Sequence, residues 1–203
     1  MLTTFGRLAL APLFGLLLTS CATMSPEECK VADWGQIGQR DGMDGRTLGQ
    51  LSDRAADCAK VGVSVDTQAY QKGRDQGLLS YCRPDNALRV GLSGGFYGGV
   101  CPPETHAEFL QRYESARYVW DLRNEVSSLD GRIENLERRL RDVNRSEEKR
   151  LADATTDEQR KAIRKAIDDE RRDIRNDLSE TDRRLRRKRD ELRSAEFSLS
   201  NLR

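Results

Sequence analysis

The chain has 203 residues, with 35 Lys and Arg against 34 Asp and Glu, a single His and a formal net charge of +1. One histidine excludes a two-histidine metal site, and a near-zero net charge lacks the electrostatic footprint of a nucleic-acid-binding protein. Charged residues are 34% of the sequence, so much of the length must face water and not a core.

Residues 1–20 hold one basic residue, Arg7, then an apolar run over 8–18 broken only by Pro12 and Gly15, then small polar residues. This is the layout of a secretory signal. The run is too short to cross a hydrocarbon core, which takes roughly 20 residues of helix. Leu18, Thr19, Ser20 and Cys21 resemble the bacterial lipobox. The resemblance implies cleavage before Cys21 and acylation of its thiol, giving a membrane anchor in which each buried methylene contributes about 0.8 kcal/mol. Ala22 stands where lipoproteins kept at the inner membrane commonly carry Asp. The expected location is therefore the periplasmic face of the outer membrane of a Gram-negative bacterium. The competing outcome is ordinary signal cleavage with Cys21 left as a free thiol.

Residues 21–28 read as a lipidated linker, and Ser25, Pro26, Glu27 and Glu28 as the start of a helix: an N-cap, a proline at its first position and acids in its first turn. Setting Cys21 aside leaves Cys29, Cys58, Cys82 and Cys101, an even number in an exported chain, so two disulfides are expected. Three pairings are open. Cys29 with Cys58 and Cys82 with Cys101 is favoured, because Cys29 opens one helical stretch and Cys58 closes the next, as an antiparallel pair requires. A zinc site is the rival, but spacings of 29, 24 and 19 contain no close cysteine pair.

Residues 29–113 collect these cysteines, nearly all the glycines that follow Cys29 and most of the aromatics. A head of this size has only a marginal core and draws materially on disulfides. Gly38 with Gly42 and Gly73 with Gly77 are spaced to notch one face of a helix each, so two helices can approach closely. The alternative is that these glycines serve turns, as "RDGMDG" also suggests. Between them, Leu48, Leu51, Ala55 and Cys58 predict a helix over 47–60, ended by Gly62. Beyond Cys82, the turn residues Pro84, Asp85 and Asn86, a short apolar stretch, Ser93-Gly94-Gly95 and then Phe96, Tyr97 and Val100 predict a short β-hairpin. No Gly-Lys-Ser/Thr accompanies these glycines, so no nucleotide or other cofactor is expected.

Trp34 with Gly38, Asp41, Gly42 and Gly45, then Tyr70 with Gly73, Gly77, Leu78, Tyr81 and Cys82, then Gly91, Tyr97 and Cys101 resemble a family of small uncharacterised bacterial envelope proteins, classed as a domain of unknown function (family 2799). The resemblance covers about residues 29–113. It implies disulfides and an envelope location and supplies no catalytic residue.

Residues 114–203 change character. Leu122, Val126, Leu129, Ile133, Leu136, Leu140 and Val143 step by four and three, the rhythm of a coiled-coil seam. Ile167, Ile174, Leu178, Leu185, Leu192, Leu199 and Leu202 fall on a second such frame, with Arg171, Thr181, Lys188 and Ala195 at its weaker positions. The pattern lapses over 152–157, where Thr155 or Thr156 with Glu158 or Gln159 offers a helix cap and a turn. Leu140 with Ile167, Ile133 with Ile174, Leu129 with Leu178 and Leu122 with Leu185 all have numbers adding to 307, which predicts an antiparallel hairpin in that register. A slide of one heptad preserves the same apolar frames.

The fold class expected is mainly α: a disulfide-stapled helical head with a short β-hairpin, then a long antiparallel helical hairpin. Arg183, Arg184, Arg186, Arg187, Lys188 and Arg189 form a basic cluster that either meets anionic lipid or cell-wall groups or is a solvated face balanced by acids on the opposite arm. Catalysis finds no constellation: His106 has no marked nucleophile, and Asp33, Asp41 and Asp44 are accounted for by turns and caps. These features point to a non-enzymatic, lipid-anchored periplasmic protein that contacts an envelope protein partner through its coiled coil. The alternative is a glycan-binding or glycan-hydrolysing lipoprotein whose ligand surface is Trp34, Tyr70, Tyr81 and Tyr97.

Overall fold

The computed structural model describes residues 23–202. Cys21 and the signal segment lie outside the described residues. The elements are α1 (Pro26–Lys30), α2 (Trp34–Met43), α3 (Gly49–Ala59), α4 (Thr67–Tyr81), α5 (Pro84–Leu92), α6 (Pro103–Ala152) and α7 (Asp157–Ser200). The protein is mainly α, with two disulfides in its N-terminal part and two long helices at its C-terminal end.

Helix α1 starts where its capping chemistry dictates: Ser25 accepts from the Glu28 amide at 3.2 Å, and Glu28 accepts from the Ser25 amide at 2.7 Å. Hydrogen bonds to Ser25, first from its backbone, hold the Glu28 carboxyl below its ordinary range. The helix is a single short turn, and α2 begins afresh at Trp34 with Asp33 as its N-cap. Cys29 bonds Cys58 in the last turn of α3, with Cα atoms 5.4 Å apart. Cys82 bonds Cys101, with Cα atoms 5.6 Å apart, tying the end of α4 to the residues that enter α6.

The paired glycines are a packing device. A Cβ on Gly38 or Gly42 would overlap the backbone carbonyls of Tyr70 or Arg74, and one on Gly73 or Gly77 those of Gly35 or Gln39. The two notched faces of α2 and α4 thus interlock backbone to backbone, which offsets the cost of roughly 1 kcal/mol that each helical glycine carries relative to alanine. Turns do use glycine nearby: Gly45 has φ +67° and Gly62 φ +73°.

The expected β-hairpin is absent; no strand occurs among the described residues. Residues 84–92 are helix α5 and residues 93–102 an irregular loop. Pro84 and Asp85 read as turn residues, but they are equally the first helical proline and first-turn acid of a helix start. Packing resolves the ambiguity. A Cβ at Gly91 would stand 2.5 Å from the Tyr113 carbonyl and 2.6 Å from Ala116 Cβ, so this glycine lets α5 lie directly on α6. Leu88, Ala116, Val119 and Leu199 form the core beneath it.

Helix α6 is continuous across residues 113 and 114, so head and arm share one helix of 50 residues. Asp153 ends it, and Thr156 caps α7 through a capping box with Gln159. The turn therefore lies within 152–157 as expected. The register does not follow the sum of 307. Arg123 bonds Glu196, Asp130 bonds Arg189, Glu125 pairs with Lys188 and Arg150 with Glu170. Each α7 partner lies six or more positions later than that frame allows. The reason is charge: in the 307 frame Arg123 would oppose Arg184, Asp130 would oppose Asp177 and Glu125 would oppose Asp182. The observed offset of 6 to 13 positions replaces these like-charge pairs with attractive ones across the seam.

Candidate functional site

The head concentrates its chemistry between α2, α3 and α4. Asp41 in α2 is only 3% exposed. Arg54 of α3 grips both carboxylate oxygens, with Nη2 donating to Oδ1 at 3.0 Å and Nη1 donating to Oδ2. The Tyr70 hydroxyl of α4 donates to the same Oδ2 at 2.7 Å. Burial, and then the hydrogen bond to Asp41, push the Tyr70 phenol well above its ordinary range. The carboxylate thus joins three helices and its charge is compensated in place, as a buried ion requires. A second arginine, Arg74, is also buried, and its Nη2 donates to the Arg46 carbonyl at 3.0 Å.

Neither arginine emerges from the sequence reading. The signal was present for both. Arg54 shares the inward helical face of Leu51 and Cys58, and Arg74 lies four residues after Tyr70 on the face notched by Gly73 and Gly77.

The four aromatics expected to form a ligand surface are core residues instead. Trp34 and Tyr70 pack with the Cys29–Cys58 bridge, while Tyr81 and Tyr97 pack with the Cys82–Cys101 bridge and Phe109. All four are buried and divided between two clusters, so they share no exposed face. Tyr81 and Phe109 stack with ring centroids 5.3 Å apart, and Tyr97 and Phe109 meet at 4.6 Å. Sequence cannot separate an exposed aromatic from one whose hydroxyl finds an internal partner, as Tyr70 finds Asp41.

His106 shares a hydrogen bond of 2.9 Å between its Nδ1 and the Tyr97 hydroxyl, which also accepts the Cys101 amide at 3.3 Å. Asp33 caps α2 through the Gln36 amide at 2.9 Å, and Asp44 closes the same helix. Among the described residues no group of three or more His, Cys, Asp or Glu side chains is placed to hold a metal.

In the basic cluster of α7, Arg186 pairs with Asp182 at 2.7 Å, Lys188 with Glu191 at 2.8 Å and Glu125 at 3.2 Å, and Arg189 with Asp130. Those acids, Glu191 first, raise the Lys188 pKa. Arg183, Arg184 and Arg187 make no ion pair with a described residue. Arg171, at a seam position, bonds Glu147, Asn144 at 2.8 Å and Asp168 at 3.4 Å, so a charged residue occupies the seam fully partnered.

No curated protein and no solved structure matches the chain. A family model does, over residues 33–118, a stretch that runs from the N-cap of α2 into the first turns of α6 and includes Asp41, Arg54, Tyr70, Arg74 and the interlocking glycines. Within the head, residues 33–118 match the model of the family described as protein of unknown function (DUF2799).

Proposed function

We propose that the protein is a non-enzymatic, lipid-anchored component of the periplasmic side of the outer membrane, which engages an envelope protein through its helical arms. The observation that carries this reading is the single helix α6, which leaves the stapled head and pairs with α7 along the arm. Fifty residues of helix extend about 75 Å at 1.5 Å each. Such a paired arm presents side chains far from the head while burying its own seam. Two disulfides favour an oxidising compartment, and the residues from Leu18 to Cys21 supply the attachment point. The glycan-binding alternative loses support, because Trp34, Tyr70, Tyr81 and Tyr97 are occupied in packing.

The test is made in cells producing the full chain. Cys21→Ser is expected to move the protein from the membrane to the soluble fraction, and photo-crosslinkers on the exposed faces of α6 and α7 are expected to give one dominant adduct with an envelope protein. Unchanged fractionation would overturn the anchor, and arms that yield no adduct while head positions do would overturn the docking role.

A further inference from the structure

One buried charge of the head, that of Arg74, has no ion pair among the described residues. Arg54, which is partly exposed, occupies both oxygens of Asp41, and the more deeply buried Arg74 is left without a carboxylate. Arg74 is 8% exposed. Among the described residues its one hydrogen bond is to the Arg46 carbonyl, and its Nε is buried with no partner. A guanidinium carries five donors, and a buried cation without a counter-ion is costly unless something supplies the missing charge.

Arg74 lines a groove of about 360 Å³ between α4 and the segment leading into α6. Leu78 and Leu79 form one wall, with Val100 and Pro102 facing them. Cys82 belongs to the first wall and bonds Cys101 in the second, so the two sides are covalently joined and the groove is held open before anything enters. Leu79 is 74% exposed, a large aliphatic side chain left in water at this site. The other charged lining residue, Asp75, is exposed.

We propose that this groove binds an aliphatic monocarboxylate, its carboxylate on Arg74 and its chain along Leu78, Leu79, Val100 and Pro102. The guanidinium of Arg74, which has no ion pair among the described residues, matches one negative charge. A planar carboxylate also matches the guanidinium fork. A dianion would meet stronger repulsion from Asp75. A groove of this size takes a chain of roughly ten carbons. The inference does not depend on the anchor or on the arms.

Isothermal titration calorimetry of the full chain with decanoate, below its micelle concentration, tests the site. The expected result is saturable binding at one site, weakened at least tenfold for the neutral decanamide and in Arg74→Gln, and abolished in Leu79→Asp. Leu79 is exposed, so that variant keeps its fold, which its melting temperature verifies, and the site remains testable even if Arg74→Gln is unstable. Absence of saturable decanoate binding, equal binding of decanamide, or unaltered binding by folded Leu79→Asp would each overturn the proposal.

Discussion

Asp130 on the first arm accepts the Nη2 of Arg189 on the second through both carboxylate oxygens, at 2.8 and 3.1 Å. Exposed pairs of this kind contribute only about 0.2–1 kcal/mol each. Their importance here is selective, because the apolar seam fits two registers almost equally and a few such differences decide between them. Cysteines at Arg123 and Glu196, joined by a short bismaleimide, are therefore expected to crosslink within one chain. Cysteines at Arg123 and Arg184 are not. Mass spectrometry of the digested product reads the outcome, and the reverse preference would restore the 307 register.

Glycine substitutions should separate packing from propensity. Gly38→Ala and Gly73→Ala force α2 and α4 apart, and each is expected to cost about 1–3 kcal/mol or more in chemical denaturation. Gly131→Ala, in α6 with nothing near its Cβ, is expected to stabilise by about 0.5–1 kcal/mol.

Breaking the buried ion pair from one side leaves a charge without compensation. Arg54→Leu is expected to destabilise the head by about 3–5 kcal/mol. The double change Arg54→Leu with Asp41→Leu should cost less than Arg54→Leu alone, and a double-mutant cycle on melting or denaturant midpoints measures the difference.

Burial raises the phenol pKa values of Tyr70, Tyr81 and Tyr97 above the ordinary value of 10.0. The folded state thus holds these phenols neutral. Stability from them is complete below pH 10 and is lost as the pH climbs above it. Absorbance at the phenolate wavelength should show the three buried tyrosines ionising only as the helical signal collapses.

Removing the Cys29–Cys58 bridge by paired alanine substitution is expected to cost about 2–4 kcal/mol. The loss should fall on α1 and α3, read as faster hydrogen exchange there. The Asp57 carboxylate, which accepts from Lys60 and from the Thr23 amide and hydroxyl, would then be the main remaining link between residue 23 and α3.

Local chemistry made much of this fold legible. Ser25 with Glu28 and Thr156 with Gln159 announce helix starts because their side chains can satisfy only the amides that a new helix leaves free. The interlocking glycines were readable from their spacing, whereas spacing left three cysteine pairings open, and only the expected helix ends at Cys29 and Cys58 favoured the one observed. Residues 84–92 were not readable, because proline followed by aspartate serves a turn and a helix start alike, and only the surface of α6 decides. The same limit hid the fate of the four aromatics. Whether Tyr70 faces solvent depends on Asp41 and Arg54, each contributed by a different helix.

Cys101 stands two residues before α6 begins, and its bond to Cys82 fastens the root of that helix to the end of α4. A force applied at the far turn travels along the paired helices and arrives first at a covalent link, with the hydrogen bonds of the head lying behind it. The junction therefore behaves as a welded joint, and tension drawn across the molecule would peel α7 from α6 before it pulled α6 out of its socket.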